Sequence, residues 1–275
     1  MPTRLMSLAI VICWTVAGFA LVRRDLLPEI WIGEPPRLGA TAADADAGPT
    51  RWSIQVVESR FVPGGKEERF RSVGTATTET KRADDGSLEL LGRVSFDSGA
   101  ITKATPFALG EGLRLVIDNS LSIDPSGRPE RLNAVLREAN STEALLTVEG
   151  LFEEKSIRLK TSGPIPELRR TATIPYDPKS MVQNALSPID RMPGLQVGQR
   201  WETKVVSPLT GKADVVRVEV ERQADIYWDR GLVKTFVVVQ KMPPIAARSW
   251  VRADGLVLRQ ELPLPLVKLL LERQP

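Results

Sequence analysis

From Trp52 onward, apolar and polar residues alternate in short runs along the chain. The clearest run is "ADVVRVEVER", residues 213 to 222, in which Val216, Val218 and Val220 alternate with charged residues. Alternation with a period of two places the valines on one face of a strand and the charges on the other. Similar runs recur up to residue 261, separated by turn-forming clusters. This spacing predicts a mostly antiparallel β domain.

Two segments are candidates for helices. The stretch "YDPKSMVQNALSPID", residues 176 to 190, offers Asp177 as an N-cap, Pro178 in the first turn and an apolar stripe after them. It predicts a short helix that ends before Pro188. The chain end, "LPLPLVKLLLERQP", is compatible either with a second helix or with an extended segment at the edge of the sheet.

A hairpin is indicated by "SWVRADGLVLRQE", residues 249 to 261. Asp-Gly between alternating apolar residues is a strong signal for a two-residue type I′ turn. The pattern therefore predicts that Asp254 and Gly255 are its two central residues.

The first 50 residues differ from the rest. Residues 5–22, "LMSLAIVICWTVAGFALV", carry no charge, and as a helix they would span roughly 27 Å, close to the thickness of a bilayer core. They predict a single-pass anchor; the alternative is a signal peptide cut after residues 18–20. Residues 1–25 are thus an anchor or signal segment, residues 26–50 a flexible Pro/Ala-rich linker, and residues 51–275 a β domain.

The position of this apolar run also predicts where the β domain is located. A short positive N-terminal region followed at once by an apolar run is typical of export signals. We therefore expect a bacterial envelope protein whose body lies outside the cytoplasm, in the periplasm or cell envelope, and whose membrane contact is made by residues 5–22. The charges on either side of the apolar run are balanced, so the alternative is a cytosolic body tethered by a helix whose N-terminus lies outside.

Composition limits the chemistry. The 37 basic and 34 acidic residues give a net charge of only +3, and no dense basic run with aromatics indicates a nucleic-acid partner. The chain has no histidine and one cysteine, Cys13, so the usual triads and zinc sites cannot be assembled. We expect no cofactor, no metal and no catalytic residues, which leaves a carboxylate-dependent hydrolase as the remaining enzymatic alternative.

The second half resembles a known family. The motifs that carry the resemblance are "VGQRW" (197–201), "SPLTG" (207–211) and "WVRADGLVLR" (250–259). Over about residues 174–265 the chain is similar to the DUF3108 type of uncharacterised extracytoplasmic β protein, and in outline to the LolA-like carriers that sort lipoproteins. The resemblance implies one long, curved antiparallel sheet, a half-barrel, with a short helix near its open side. It implies no catalytic residues.

Five residues are candidates for lining an apolar ligand site. They are Trp201 and Trp250 on predicted strands, and Met181, Val182 and Leu186 on the predicted helix. A large aromatic side chain can form the wall of a groove, and methionine suits an adaptable surface, but the same residues also serve as ordinary core.

The expected function follows from these features. The sequence predicts a membrane-anchored, non-catalytic β domain outside the cytoplasm that binds an apolar ligand or an envelope partner. The alternative is a pure scaffold or interaction module, accessory to an envelope enzyme or transporter, whose interior is filled.

Overall fold

The protein is described by a computed structural model that covers residues 48–62, 65–101, 112–164, 166, 169–176, 182–184, 188–207, 212–242, 245–263 and 268–275. Within these ranges, fifteen strands form one sheet, and the helical structure is a single short turn of four residues. The prediction of a mostly β protein built on one large antiparallel sheet is confirmed.

The first half of the sheet is a simple meander in which each strand pairs with the next. Its elements are β1 (Thr50–Val62), β2 (Gly65–Arg82), β3 (Leu88–Asp97), α1 (Ser98–Ile101), β4 (Arg114–Ile123), β5 (Pro129–Glu138), β6 (Ala144–Phe152), β7 (Ser156–Ser162) and β8 (Arg170–Pro175). The predicted alternation is observed in β7, where Ile157 and Leu159 are buried while Arg158 and Lys160 are exposed.

The second half is a meander that runs back toward the first. Its strands are β9 (Val182–Asn184), β10 (Arg200–Ser207), β11 (Lys212–Trp228), β12 (Gly231–Met242), β13 (Ile245–Arg252), β14 (Val257–Pro263) and β15 (Lys268–Arg273). Every neighbouring pair is antiparallel except β9 with β10, which are parallel.

The two halves join at the centre of the sheet, where β1 pairs with β15. Trp52 lies opposite Arg273, and the sheet order runs from β8 through this pair to β9 without closing into a ring. The first and last strands therefore hold the middle of the molecule, and the edges are formed by strands from the middle of the chain.

The sheet is strongly curved. Residues of β8 lie within 8 Å of residues of β11, measured between Cα atoms, although eleven strands separate the two in the sheet order. We call the inner surface of this curve the concave face. The largest apolar cluster lies there and contains residues of both halves, including Trp52, Val94, Ile117, Trp201, Val218 and Val251.

A β-bulge in β11 changes which residues reach the concave face. Val220 pairs with Val238 and Arg222 with Val237, so Glu221 is an extra residue on its strand. One extra residue reverses the alternation of side chains beyond it. Upstream of the bulge, Val216, Val218 and Val220 are buried in the concave cluster, as the sequence predicts. Downstream, the buried residues lie on the opposite face.

Two sequence predictions need correction. The chain end forms a strand, β15, and this strand lies at the centre of the sheet and not at its edge. Residues 182–184, inside the predicted helix, form strand β9, because their backbone pairs with residues 204–206 of β10. The remainder of that predicted helix, residues 177–181 and 185–187, lies outside the described residues.

The predicted anchor and nearly all of the predicted linker also lie outside the described residues, which begin at Gly48. In the part of the chain that the structure describes, no helix combines the length and the apolar character needed to cross a membrane.

Candidate functional site

The segment between β9 and β10 docks on the sheet before β10 begins. We call residues 188–199 the crossing segment. Its backbone bonds to the β13–β14 hairpin: the N–H of Met192 donates to the carbonyl of Gly255 at 2.8 Å, and the N–H of Val257 donates to the carbonyl of Asp190 at 3.0 Å. These bonds form an isolated antiparallel bridge between Arg191 and Leu256 and attach the crossing segment to the hairpin.

A buried side-chain amide completes this attachment. Gln260 is almost fully enclosed, and its Oε1 accepts a hydrogen bond from the backbone N–H of Ile189 at 3.1 Å. Its Nε2 donates to the Ser249 hydroxyl at 3.4 Å. Burying an amide is unfavourable unless it is hydrogen-bonded, so these contacts favour one register of the crossing segment over its alternatives.

The crossing segment supplies apolar side chains to the concave face. Met192 is 1% exposed, and it belongs with Ile189 and Leu195 to the same cluster as Trp201. The crossing segment thus forms part of the buried core on the concave face.

The turn of the β13–β14 hairpin differs from the prediction. The N–H of Gly255 bonds to the carbonyl of Arg252, and the N–H of Arg252 bonds to the carbonyl of Leu256, both at 2.8 Å. The loop therefore has three residues, Ala253 to Gly255, and only Gly255 has a positive φ, at 88°. The predicted type I′ turn with Asp254 and Gly255 at its centre is wrong; the need for glycine at residue 255 is correct.

Packing adds a second reason for glycine in this turn. A Cβ on Gly255 would lie 2.7 Å from the Cα of Pro193, which is much closer than real Cβ contacts. The turn is thus pressed against the crossing segment, and the hairpin serves first to hold that segment in place.

The two candidate tryptophans lie on opposite faces of the sheet. Trp201 is 3% exposed and belongs to the concave cluster with Val251. Trp250 precedes Val251 in the same strand, so its side chain points the other way. It is half-buried beside Leu258, with the Arg259 guanidinium 5.9 Å from its ring centroid. The two indoles cannot line one common wall.

The other three candidates are not brought to this site by anything that the structure describes. Met181 and Leu186 lie outside the described residues, and of Val182 only the backbone, in β9, is described. That any of the five residues lines a ligand stays a prediction.

One buried polar group on the concave face lacks a partner. The side chain of Asn119 is on β4, 8% exposed, and among the described residues its Nδ2 has no hydrogen-bond acceptor. Asn119 pairs with Gly92 of β3, and Gly92 pairs in turn with Thr78 of β2. The hydroxyl of Thr78 accepts a hydrogen bond from the Trp52 Nε1 at 3.2 Å. An enclosed amide donor without an acceptor is costly, by about 1–3 kcal/mol, and sequence patterning gave no sign of it.

Carboxylates on the outer face are held by cations. Partial burial raises the pKa of Asp118, but hydrogen bonds and charge from Arg93 and Arg137 outweigh this and hold the pKa below its usual value. The guanidinium nitrogens lie 2.5 and 3.2 Å from the two carboxylate oxygens. The Glu219 carboxyl is similar: burial raises its pKa, whereas Lys241 and Arg200 lower it, with a net lowering.

These pKa shifts bear on acid–base chemistry. Among the described residues, each carboxyl with a shifted pKa has it shifted downward, and these carboxyls are Asp85, Asp118, Asp124, Glu219 and Asp254. A general acid at neutral pH needs the opposite shift. The part of the chain that the structure describes contains no group of three or more acidic, histidine or cysteine side chains placed to hold a metal ion.

A cavity of about 300 Å³ opens between the middle of β2, the end of β3 and the start of β4. Its lining is polar and includes Ser72, Ser95, Asp97 and Arg114. Such a lining does not suit the apolar ligand that the sequence predicts.

A more unusual surface is the end of the β11–β12 hairpin, which the sequence analysis missed. Tyr227 and Leu232 are cross-strand partners there and are 67% and 76% exposed. The two residues of the turn, Asp229 and Arg230, have φ values of 45° and 64°. Two left-handed residues at the centre of a two-residue hairpin make a type I′ turn, here without glycine at either position. We call residues 227–232 the hairpin tip.

Comparisons with known proteins give distant likenesses. No family model and no curated protein matches the chain. A β-barrel-like protein of domain of unknown function DUF1849 from Brucella abortus is similar in structure, with a TM-score of 0.47 and 10% identity, over 82% of this chain and 95% of that one. A DUF1089 family protein from Pseudomonas aeruginosa has a TM-score of 0.39 and 14% identity, over 75% of this chain and 97% of that one.

These neighbours are described as proteins of domains of unknown function, and their descriptions agree with the coarser part of the family prediction, an uncharacterised β protein. Neither is a DUF3108 protein or a LolA-like carrier, so that finer resemblance stays a prediction. Neither description names a ligand, a reaction or a location.

Proposed function

We propose that this chain is a membrane-anchored, non-catalytic interaction module outside the cytoplasm, accessory to another envelope protein, with an interior that is core and not a ligand pocket. Of the two roles that the sequence leaves open, the scaffold is favoured by one observation. The crossing segment, fastened through Met192 and Gly255, fills the concave face next to Trp201.

The free energy needed to displace buried side chains supports the scaffold role. A ligand entering the concave cluster would have to displace Met192 or Trp201, which are enclosed by neighbours from both halves of the sheet. Protein interiors are close-packed, and removing such a side chain from its contacts costs several kcal/mol. A curved half-barrel of the LolA-like kind is compatible with the same sheet, but a carrier must leave the membrane, and residues 5–22 argue for retention.

A second candidate function is binding of an apolar ligand, and it is favoured by Asn119. Its unpartnered Nδ2 is buried on the concave face between apolar clusters that contain Ile117 and Leu121. A ligand with an apolar body and a carbonyl or carboxylate oxygen would satisfy this donor. A carboxylate-dependent hydrolase has no comparable observation in its favour, because the shifted carboxyls are paired or hydrogen-bonded and lowered in pKa.

The first test uses the full chain reconstituted in lipid nanodiscs. We expect Trp201→Ala to lower the free energy of unfolding by about 3–5 kcal/mol. Indole, which matches the lost side chain, should then raise the melting temperature of the variant and leave that of the wild type unchanged. A wild-type protein that is itself stabilised by indole would contradict a filled interior.

The second test separates the two candidates through Asn119→Leu, which removes the unpartnered donor and keeps a similar volume. A scaffold with a closed interior should become slightly more stable or stay unchanged. If the protein binds a ligand, an organic extract of the wild type should contain an amphiphile. The same compound should be missing from an extract of Asn119→Leu. Mass spectrometry of the two extracts makes the measurement.

A further inference from the structure

The hairpin tip is the end of an arm that extends past the neighbouring strands. The last pair between β10 and β11 is Arg200 with Glu219, and the last pair between β12 and β13 is Thr235 with Arg252. Beyond these pairs, the backbones of β11 and β12 pair only with each other among the described strands. The arm is therefore a two-stranded ribbon whose end projects past the neighbouring turn.

The base of the arm is fixed to the molecule at a known place. Ile226 and Val233 pack on Leu256 and Leu258, on the face opposite to the concave face. The indole Nε1 of Trp228 donates to the backbone carbonyl of Arg273 at 2.9 Å. These contacts hold the ribbon firmly, while the next cross-strand pair, Tyr227 with Leu232, is left in solvent.

This attachment places the hairpin tip at the end of the sheet where β1 begins. The Arg273 guanidinium donates to the hydroxyl of Thr50, the first residue of β1, at 2.7 Å. The N–H of Gln274 donates to the carbonyl of Arg51. The chain thus enters the sheet beside the arm, and upstream of this point lies the apolar run of residues 5–22.

From this arrangement we infer that the hairpin tip inserts Tyr227 and Leu232 into the interfacial region of the bilayer that residues 5–22 anchor the chain to. Tyrosine suits the level of the lipid headgroups because its ring is apolar and its hydroxyl is polar. The inference rests on the anchor of the proposed function. It adds a second, weaker contact that sets the orientation of the β domain.

The chemistry of the tip favours lipid over a protein partner. A stable protein interface buries on the order of 1,200 Å² or more, and two side chains at a convex tip supply little of that. Shallow insertion needs only such a pair when a tether already keeps it near the surface, because tethering makes the second contact intramolecular.

Electrostatic attraction does not drive the proposed insertion. Residues 221–235 contain three basic residues, Arg222, Arg230 and Lys234, and three acidic ones, Glu221, Asp225 and Asp229. The arm is therefore neutral, and insertion should be as strong in zwitterionic as in anionic vesicles.

The test uses the full chain in phosphatidylcholine vesicles, with an environment-sensitive fluorophore on a single cysteine. In a Cys13→Ser background, the label is placed at Leu232→Cys or at Phe70→Cys. Phe70 is a matched control because it is also an exposed apolar strand residue, and it pairs with Val57, seven residues along β1 from Thr50. We expect the label at residue 232 to shift to the blue and to be quenched by lipids that carry a spin label near the headgroup. The label at residue 70 should show neither effect.

Labelling the native Cys13 separates failure of this inference from failure of the anchor. If the label on Cys13 is quenched by lipid and that on residue 232 is not, the anchor stands and the inference is wrong. If neither is quenched, the anchor itself is wrong, and the inference falls with it. A label on residue 232 that ignores lipid but shifts when an envelope protein fraction is added would assign the tip to a protein partner and overturn the inference.

A final variant tests the cause. With the label at Arg230→Cys, between the two apolar residues, replacement of both Tyr227 and Leu232 by serine should abolish the quenching by lipid. Unchanged quenching in this variant would show that the apolar pair does not drive insertion.

Discussion

Two hairpin turns in the second half of the sheet have opposite surroundings. The Ala253–Gly255 turn is pressed against the crossing segment and bonds to Met192 through its backbone. The Asp229–Arg230 turn stands in solvent at the hairpin tip. The docked turn places glycine where φ is positive, whereas the free turn holds two non-glycine residues in the left-handed region.

The contrast shows that backbone strain within a turn and packing of other residues against that turn are independent. At Gly255 both requirements, a positive φ and no Cβ, coincide in one residue. Asp229 and Arg230 are exposed, yet each residue occupies a conformation that costs about 1–2 kcal/mol for a side chain with a Cβ. Glycine comes one position too late, at residue 231, to relieve this strain.

The largest effect is expected from Gly255→Val. The new Cβ would lie 2.7 Å from Pro193, and the β-branched residue would adopt an unfavourable φ. We expect the free energy of unfolding to fall by about 3–5 kcal/mol, from steric overlap and backbone strain together. Chemical denaturation measures this loss.

Gly231→Val is the matched control for that change. A Cβ on Gly231 meets no heavy atom within 4 Å, and its φ is not positive. Its effect should stay within about 0.5 kcal/mol, as for other surface substitutions. Equal losses for the two variants would contradict the contrast between a docked and a free turn.

A smaller effect, of opposite sign, is expected from replacing Asp229-Arg230 by Asn-Gly. This pair is favoured in type I′ turns, so the variant should be more stable by about 1 kcal/mol. Ala253→Gly in the docked turn should instead destabilise by about 0.5–1 kcal/mol, since it only adds freedom to the unfolded chain. Thermal unfolding of both variants tests the signs. A less stable Asn-Gly variant would mean that the tip is not strained.

The smallest effect concerns pH and the docked turn. The hydrogen bonds from Arg252 lower the pKa of Asp254 most, burial raises it, and the backbone N–H of Leu256 lowers it further, to about 2. Because the pKa in the folded state lies below the ordinary value of 3.8, the carboxylate stabilises the fold above about pH 4, and this contribution is lost as the pH falls toward 2.

Asp254→Asn isolates that contribution. The ion pair is partly exposed and screened by water, so we expect a loss of only about 0.5–1 kcal/mol at pH 6, which disappears near pH 2. Urea unfolding of both proteins at the two pH values gives the difference. A variant that loses the same amount at both pH values would show that the charge of Asp254 does not stabilise the turn.

The sequence predicted the sheet well because burial on one face has a direct signature. Val216, Val218 and Val220 alternate with charged residues, and all three are buried on the concave face. The same rule failed beyond Val220, because a bulge is a one-residue property of the pairing between β11 and β12 and leaves no clear mark in the pattern of hydrophobicity.

The candidate site was less predictable. Trp201 and Trp250 are both tryptophans on predicted strands, and their registers in the sheet place them on opposite faces. The hairpin tip was missed because its turn lacks the Asn-Gly or Asp-Gly signal of its type. The unpartnered amide of Asn119 depends on neighbours from other strands, which no local pattern specifies.

By itself, the sequence determined a β protein with many antiparallel strands, the requirement for glycine at residue 255, and the absence of histidine chemistry. These follow from residue type and from periods of two along the chain, which are local properties. Tertiary structure alone decided that β1 and β15 meet at the centre of the sheet, that side chains of the crossing segment join the concave cluster, and that Tyr227 and Leu232 are exposed at the hairpin tip. Each of these features depends on which strands pair across long separations in sequence. Such pairing is selected by the packing of the whole sheet and not by any one segment.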